Sequence, residues 1–170
     1  FFTPRIWHIR RLRPDAGELA RAIEKLQQAE RPLIVAGGGV RYAGASQQLA
    51  DFAAKAGIPV ASTQAGKSAL TEDHALNVGS IGVTGSSAAN VLAEKADVVL
   101  SVGSRLQDFT TGSNGLIKGQ VIALDVQAHD LIKHQAMPLM ADAREGLAAL
   151  AAACPDYATD QPYRDEVASL

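Results

Sequence analysis

Cysteine is almost missing from this chain: Cys154 stands alone among 170 residues. A lone cysteine excludes an internal disulfide framework and fits a reducing compartment. An excess of one charge is missing too. With 16 basic and 18 acidic residues the net charge is −2, so bulk electrostatics give no reason to expect nucleic acid. No apolar run reaches the roughly 18 residues needed to cross a bilayer, and the start lacks a signal-peptide pattern. These absences predict a soluble, cytoplasmic protein.

Several chemical signatures are absent as well. There is no G-x-S-x-G elbow for a serine nucleophile. Cys154 precedes Pro155 without a histidine in its sequence context, so nothing marks it as a nucleophile. His74, His129 and His134 lack a spacing that sets two ligands on one helical face. Gly66-Lys67-Ser68 imitates the end of a P-loop, but the first required glycine falls on Ala61. A dinucleotide fingerprint started at Gly37 puts Tyr42 where its third glycine belongs, and Pro59–Thr63 carries no acid to hold a ribose. The residues therefore supply no catalytic group and no metal ligand.

What is present is a regular alternation. Pro32-Leu33-Ile34-Val35-Ala36 reads as a buried strand and runs into Gly37-Gly38-Gly39. Glycines let the backbone turn sharply and approach a ligand, and a following helix start offers N–H groups, so this turn is a candidate anion cradle. Asp15 can cap a helix carrying Leu19, Ala22, Ile23 and Leu26. Helices are predicted over 46–55, closed by Gly57, over 86–95 and over 144–153. Strands are predicted at 33–36, 59–62, 97–102, 120–125 and 138–141, with a sixth in 76–81 or 115–118. Apolar strands alternating with helices define an α/β class: a three-layer α/β/α, Rossmann-like domain on a mostly parallel sheet of about six strands.

In such folds ligands sit at the carboxyl ends of the strands. Those ends here hold the glycine turn, Thr63–Gly66, Gly103-Ser104-Arg105, Asp125-Val126 and Asp142. Arg105 could stack on a base or pair with a phosphate, and Asp125 could accept from a ribose hydroxyl or an adenine amino group. A nucleotide-shaped cleft is the expectation. The ends read differently: residues 1–14 hold four arginines and no acid, and 154–170 show little apolar periodicity. Both are expected to be linkers around a body at 15–153, as in an internal segment of a longer protein.

The order of motifs carries a resemblance. Gly37-Gly38-Gly39-Val40, Ala56-Gly57-Ile58-Pro59-Val60, Gly66-Lys67, Asp73-His74, Gly79–Gly85, Ala96–Leu100 with Gly103-Ser104-Arg105, Leu124-Asp125-Val126 and Ala141-Asp142 follow one another. Taken as a series, they resemble the central domain of thiamine-diphosphate-dependent enzymes of the acetolactate synthase type. Arg5–Arg11, Ile81–Gly85 and Gln107–Thr111 point within that family to a hydrolytic branch that cleaves a carbon–carbon bond of a cyclic 1,2-diketone in inositol breakdown.

The resemblance implies a non-catalytic central domain between two thiamine-binding domains, in a homodimer or homotetramer. Those domains would hold thiamine diphosphate and Mg2+, through a glutamate in the preceding one and a G-D-G…N motif in the following one. No G-D-G occurs in these 170 residues. For this domain it implies FAD or ADP at Gly38, Gly39, Gln64, Gly66, Gly103, Arg105, Asp125, Val126 and Asp142. FAD should be weak or absent, because Thr84 stands where synthases carry a histidine and one aspartate of a pair is replaced at Gln107-Asp108. A synthase-type FAD-binding domain and a free-standing α/β nucleotide-binding protein remain the alternatives.

Overall fold

A computed structural model of the chain describes residues 3–170. The elements follow one another as α1 (Ala16–Gln27), β1 (Pro32–Ala36), α2 (Gly38–Tyr42), α3 (Ser46–Ala56), β2 (Val60–Ser62) and β3 (Asn77–Ser80). Next come α4 (Ser87–Lys95), β4 (Val98–Val102), α5 (Asp108–Thr111), β5 (Gln120–Asp125) and α6 (Ala128–Leu131). A 3-10 turn (Lys133–Gln135), β6 (Met137–Met140), α7 (Ala143–Ala153) and α8 (Gln161–Ala168) complete the chain. The six strands form one sheet in the order β3-β2-β1-β4-β5-β6, and every neighbouring pair is parallel. This is the doubly wound order, in which the connections reverse direction between β1 and β4.

The two-residue period of the strands builds the layers. In β1, Ile34 and Ala36 face one core with Leu26, Leu49, Phe52, Leu147 and Leu150 of α1, α3 and α7. Leu33 and Val35 face the other, with Leu92 and Ala93 of α4 and Tyr163 and Val167 of α8. The strands buried on both faces are therefore continuous apolar runs, as a covered parallel sheet requires. Helix starts follow their caps. Asp15 accepts from the N–H groups of Gly17 and Glu18, and the Ser86 hydroxyl accepts from Ala89 N–H. Gly57 closes α3 in the left-handed conformation.

One expectation is narrowed by the structure and two need correction. The sixth strand lies at Asn77–Ser80 inside the expected 76–81 window, whereas 115–118 forms no strand. Asn77, Gly79 and Ser80 make β3 a half-buried edge strand, which explains its weak pattern. Helix formation after β1 begins at Gly38 inside the glycine run, rather than waiting for Ser46. The stretch 154–170, expected to be a linker tail, instead folds back as α8 onto the sheet. Asp160 caps α8 by accepting from Tyr163 N–H at 2.9 Å, and Pro162 fits the first turn, where no N–H is needed.

The segment from Thr3 to Pro14 has no regular structure, yet its end is anchored. Arg11 pairs with Asp142 at 2.9 Å and donates to Ala43 C=O, and Asp142 N–H donates to Leu12 C=O. Among the described residues no helix is long and apolar enough to cross a membrane.

Cys154 closes α7 and is buried. Burial pushes its thiol up, with the nearby Lys55 charge acting weakly the other way. A buried thiol that stays protonated is a poor nucleophile. Native protein should therefore resist alkylation by iodoacetamide at neutral pH and label promptly once unfolded. Fast native labelling followed by mass spectrometry would contradict this packing of α7 against the tail.

Candidate functional site at the carboxyl ends of the strands

The strand ends β1, β2, β4 and β5 enclose a cleft of about 470 Å³, within the roughly 300–1,000 Å³ usual for small-molecule sites. Its floor is set by two turns in van der Waals contact. A Cβ at Gly37 would lie 2.2 Å from Gly103 O, and one at Gly39 would lie 2.6 Å from Gly103 Cα. Gly103 itself has φ +60°, and a Cβ there would fall 2.5 Å from Gly39 Cα. Only glycine on both sides allows this approach.

That contact changes what the glycine turn can do. Gly39 N–H donates to Gly103 C=O at 3.0 Å and Val40 N–H to Gly37 C=O at 3.2 Å. These two donors are satisfied within the protein, and α2 is only five residues long. These bonds make the glycine turn a packing joint between the β1 and β4 turns as well as one wall of the cleft. Positive charge in the cleft comes from Arg105 instead, an exposed side chain that donates to Gln107 Oε1 at 3.1 Å. Opposite it, Asp125 Oδ1 accepts from Gln127 N–H at 2.9 Å, and Oδ2 has no hydrogen-bond partner among the described residues.

The cleft brings together Gly38 and Gly39 after β1, Gln64 after β2, Gly103 and Arg105 after β4, and Asp125 and Val126 after β5. It does not include Gly66 or Asp142. Gly66 is buried under the β1 end, where a Cβ would come 2.0 Å from Ala36 O, and its N–H is held by Thr63. Asp142 caps α7 by accepting from Arg144 N–H and also binds Arg11, so its carboxylate is occupied away from the cleft. Both positions sit at strand ends, where turn geometry favours glycine and aspartate for local reasons.

Sequence reasoning passed over Tyr42, Gln107 and Thr110, which also line the cleft. Tyr42 carried a usable signal: it is a large aromatic directly after the glycine turn, and it is 91% exposed. A second, more open concavity of about 720 Å³ shares Arg105, Leu106 and Gln107 with the first. The ridge between them is held by His134, whose Nε2 donates to Leu106 C=O at 2.8 Å, with both residues at positive φ.

Two stretches far apart in sequence also meet. Val83 N–H donates to Phe109 C=O at 3.0 Å, and Gly82, at φ +118°, lets the loop lie against that carbonyl. Asn90 clasps Gly82 from both sides, accepting from its N–H and donating to its C=O. The loop 81–85 is thereby fixed against 107–111. Among the described residues no group of three or more His, Cys, Asp or Glu is placed to hold a metal ion.

The doubly wound sheet carries a cleft at its switch point, where open α/β sheets hold ligands, and the chain's relatives specify the family. Residues 19–150 match the thiamine pyrophosphate enzyme central domain, and the chain belongs to that family. It is 40% identical over 168 residues to a 3D-(3,5/4)-trihydroxycyclohexane-1,2-dione hydrolase of Geobacillus thermodenitrificans, covering 98% of this chain and 26% of that protein. A hydrolase of the same name from Bacillus cereus is 39% identical over 171 residues, covering 99% of this chain and 27% of its own length. One from Bacillus thuringiensis is 40% identical over 153 residues, covering 88% and 24%. The chain thus spans about a quarter of the length of these curated relatives.

Proposed function

We propose that this chain is the central domain of a thiamine-diphosphate- and Mg2+-dependent hydrolase that opens a cyclic 1,2-diketone, a trihydroxycyclohexanedione, in inositol breakdown. The observation that carries the reading is identity near 40% along almost the whole chain to relatives bearing that hydrolase name. Thiamine diphosphate, held by other parts of the parent, would supply an electron sink for breaking a carbon–carbon bond beside a carbonyl. The residues of this chain do not fit that cofactor or its metal: no G-D-G motif and no ligand cluster among the described residues is available to hold a diphosphate-bound cation. The domain's contribution is therefore positional. It holds flanking thiamine-binding domains at fixed distance within a cytoplasmic homodimer or homotetramer.

The cleft fits an adenylate better than a flavin. Arg105 offers a guanidinium to phosphate, and the free Asp125 oxygen offers an acceptor to a ribose or an adenine amino group. Thr84 is exposed, and the loop that carries it is pinned to Phe109 rather than turned into the cleft. FAD binding is accordingly weak or absent.

The test compares the 170-residue chain with its full-length parent, each given thiamine diphosphate, Mg2+ and the cyclic diketone. The parent should open the ring, and the chain alone should match the no-protein control. Ring opening by the chain alone would overturn the positional role, and an inert parent would overturn the substrate. Calorimetry with ADP tests the cleft. Removing two charged hydrogen bonds, each worth about 1.5–3 kcal/mol, in the double variant Arg105→Ala, Asp125→Ala should weaken any binding by about a hundredfold or more. Undiminished binding would move the site elsewhere.

A further inference from the structure

Exposed apolar side chains are not spread evenly over this molecule. Tyr42 follows the β1 turn, Val126 follows β5, and Val83 and Phe109 meet beside the β4 turn, so all four rim the carboxyl-end face. The N-terminal segment leaves the body at this same end, because Arg11 and Leu12 are fastened to Ala43 and Asp142. Beyond that anchor it presents Ile6, Trp7 and Ile9 to solvent, Trp7 with 77% of its surface open. Seven of the nine large exposed apolar residues among those described therefore belong to one face or to the segment that departs from it. A concentration of this kind marks an interaction surface, whereas single exposed apolar residues do not.

We propose that this face, with the segment 3–11 laid along it, is the seat of another domain of the parent polypeptide, and that Trp7 and Phe109 are its apolar anchors. The proposal rests on the reading of the chain as a central domain. Its occupant follows from two facts. In the relatives about three-quarters of the polypeptide lies outside the aligned stretch, and the matching family is a central domain, so other domains adjoin it. The segment that points toward them leaves from this end. Its charge defines the receiving surface: Arg5 and Arg10 are exposed, Arg11 and Arg13 follow, and no acid occurs from Thr3 to Pro14. The partner surface is therefore acidic around slots for an indole and a phenyl ring, the arrangement that puts aromatic anchors at the centre of an interface and charges at its rim.

Hydrogen–deuterium exchange of the isolated chain and of the full-length parent reads the contact directly. Peptides covering 3–11, 39–44, 82–85 and 104–110 should exchange about tenfold or more slowly in the parent. In the parent, the double variant Trp7→Ser, Phe109→Ser should lose that protection and melt lower. In the isolated chain the same change should lower the melting temperature by less than in the parent, since Trp7 is open to solvent there and Phe109 is already 42% exposed. Equal exchange of these peptides in both proteins would overturn the proposal. Protection in the isolated chain that rises with its own concentration would also overturn it, in favour of a second copy on this face. The functional reading fails separately: a parent that protects these peptides yet leaves the diketone intact keeps the interface and loses the substrate.

Discussion

Gly103→Ala should lower the melting temperature by about 6–12 °C. The residue lies at φ +60°, where a side chain costs about 1–2 kcal/mol. Its new Cβ would also come within 2.5 Å of Gly39 Cα, a backbone atom that cannot rotate away. Forcing two turns apart adds about 1–3 kcal/mol. The sum is about 3 kcal/mol, and in a domain of this size each kcal/mol moves the midpoint by about 2–4 °C. Gly44→Ala is the matched control. Gly44 has φ +61°, but a Cβ there meets nothing within 4 Å, so only the conformational cost of about 1 kcal/mol remains. Circular dichroism melts of the two variants separate backbone conformation from turn-to-turn contact. Equal losses would show that the β1 and β4 turns do not touch as described.

The same joint explains how far the sequence could be read. Strand β1 and its glycine run were legible because a branched apolar stretch ending in three glycines has few other uses, and α1, α3 and α4 were legible from caps and period. The function of the glycines was not legible. A turn that approaches a phosphate and a turn that approaches another turn require the same residue, and only the contact with Gly103 tells them apart. Asp142 is similar: a helix cap and a cofactor-contacting residue can both be aspartates at strand ends, and the arginine that occupies it lies 131 residues away in sequence. The pairing of Val83 with Phe109 is long-range in the same way and leaves no local trace. Helix α8 was missed for a different reason. Only Tyr163 and Val167 of it are buried, and one four-residue repeat in a polar stretch is too little pattern, although Asp160 and Pro162 marked its start.

Helix α8 belongs to the stability of the domain even though the family match ends at residue 150. Tyr163 is 3% exposed, its hydroxyl donates to Pro32 C=O at 2.9 Å, and the Arg31 guanidinium sits 5.1 Å above its ring. Arg31 and Lys95 also converge on Glu166, at 2.7 and 3.2 Å, and these bonds hold its carboxyl below the usual carboxylate range. Tyr163→Ala should therefore cost about 3–5 kcal/mol, and Tyr163→Phe, which removes only the hydroxyl, about 1 kcal/mol. Alkaline titration distinguishes the hydroxyl from the ring. Burial, the largest cause, pushes the Tyr163 phenol well above its usual value, and it pushes Tyr157 up to about 12. The unfolded chain releases these protons near pH 10, whereas the folded chain keeps them. Stability is accordingly full below about pH 10 and falls as pH rises toward the folded values, by up to about 1.4 kcal/mol per pH unit for Tyr163 and by less for the more open Tyr157. Urea midpoints measured from pH 8 to 12 should drop more steeply for the native sequence than for Tyr163→Phe. Parallel slopes would mean that Tyr163 ionises as freely in the folded chain as in the unfolded one, and that α8 does not close over the sheet.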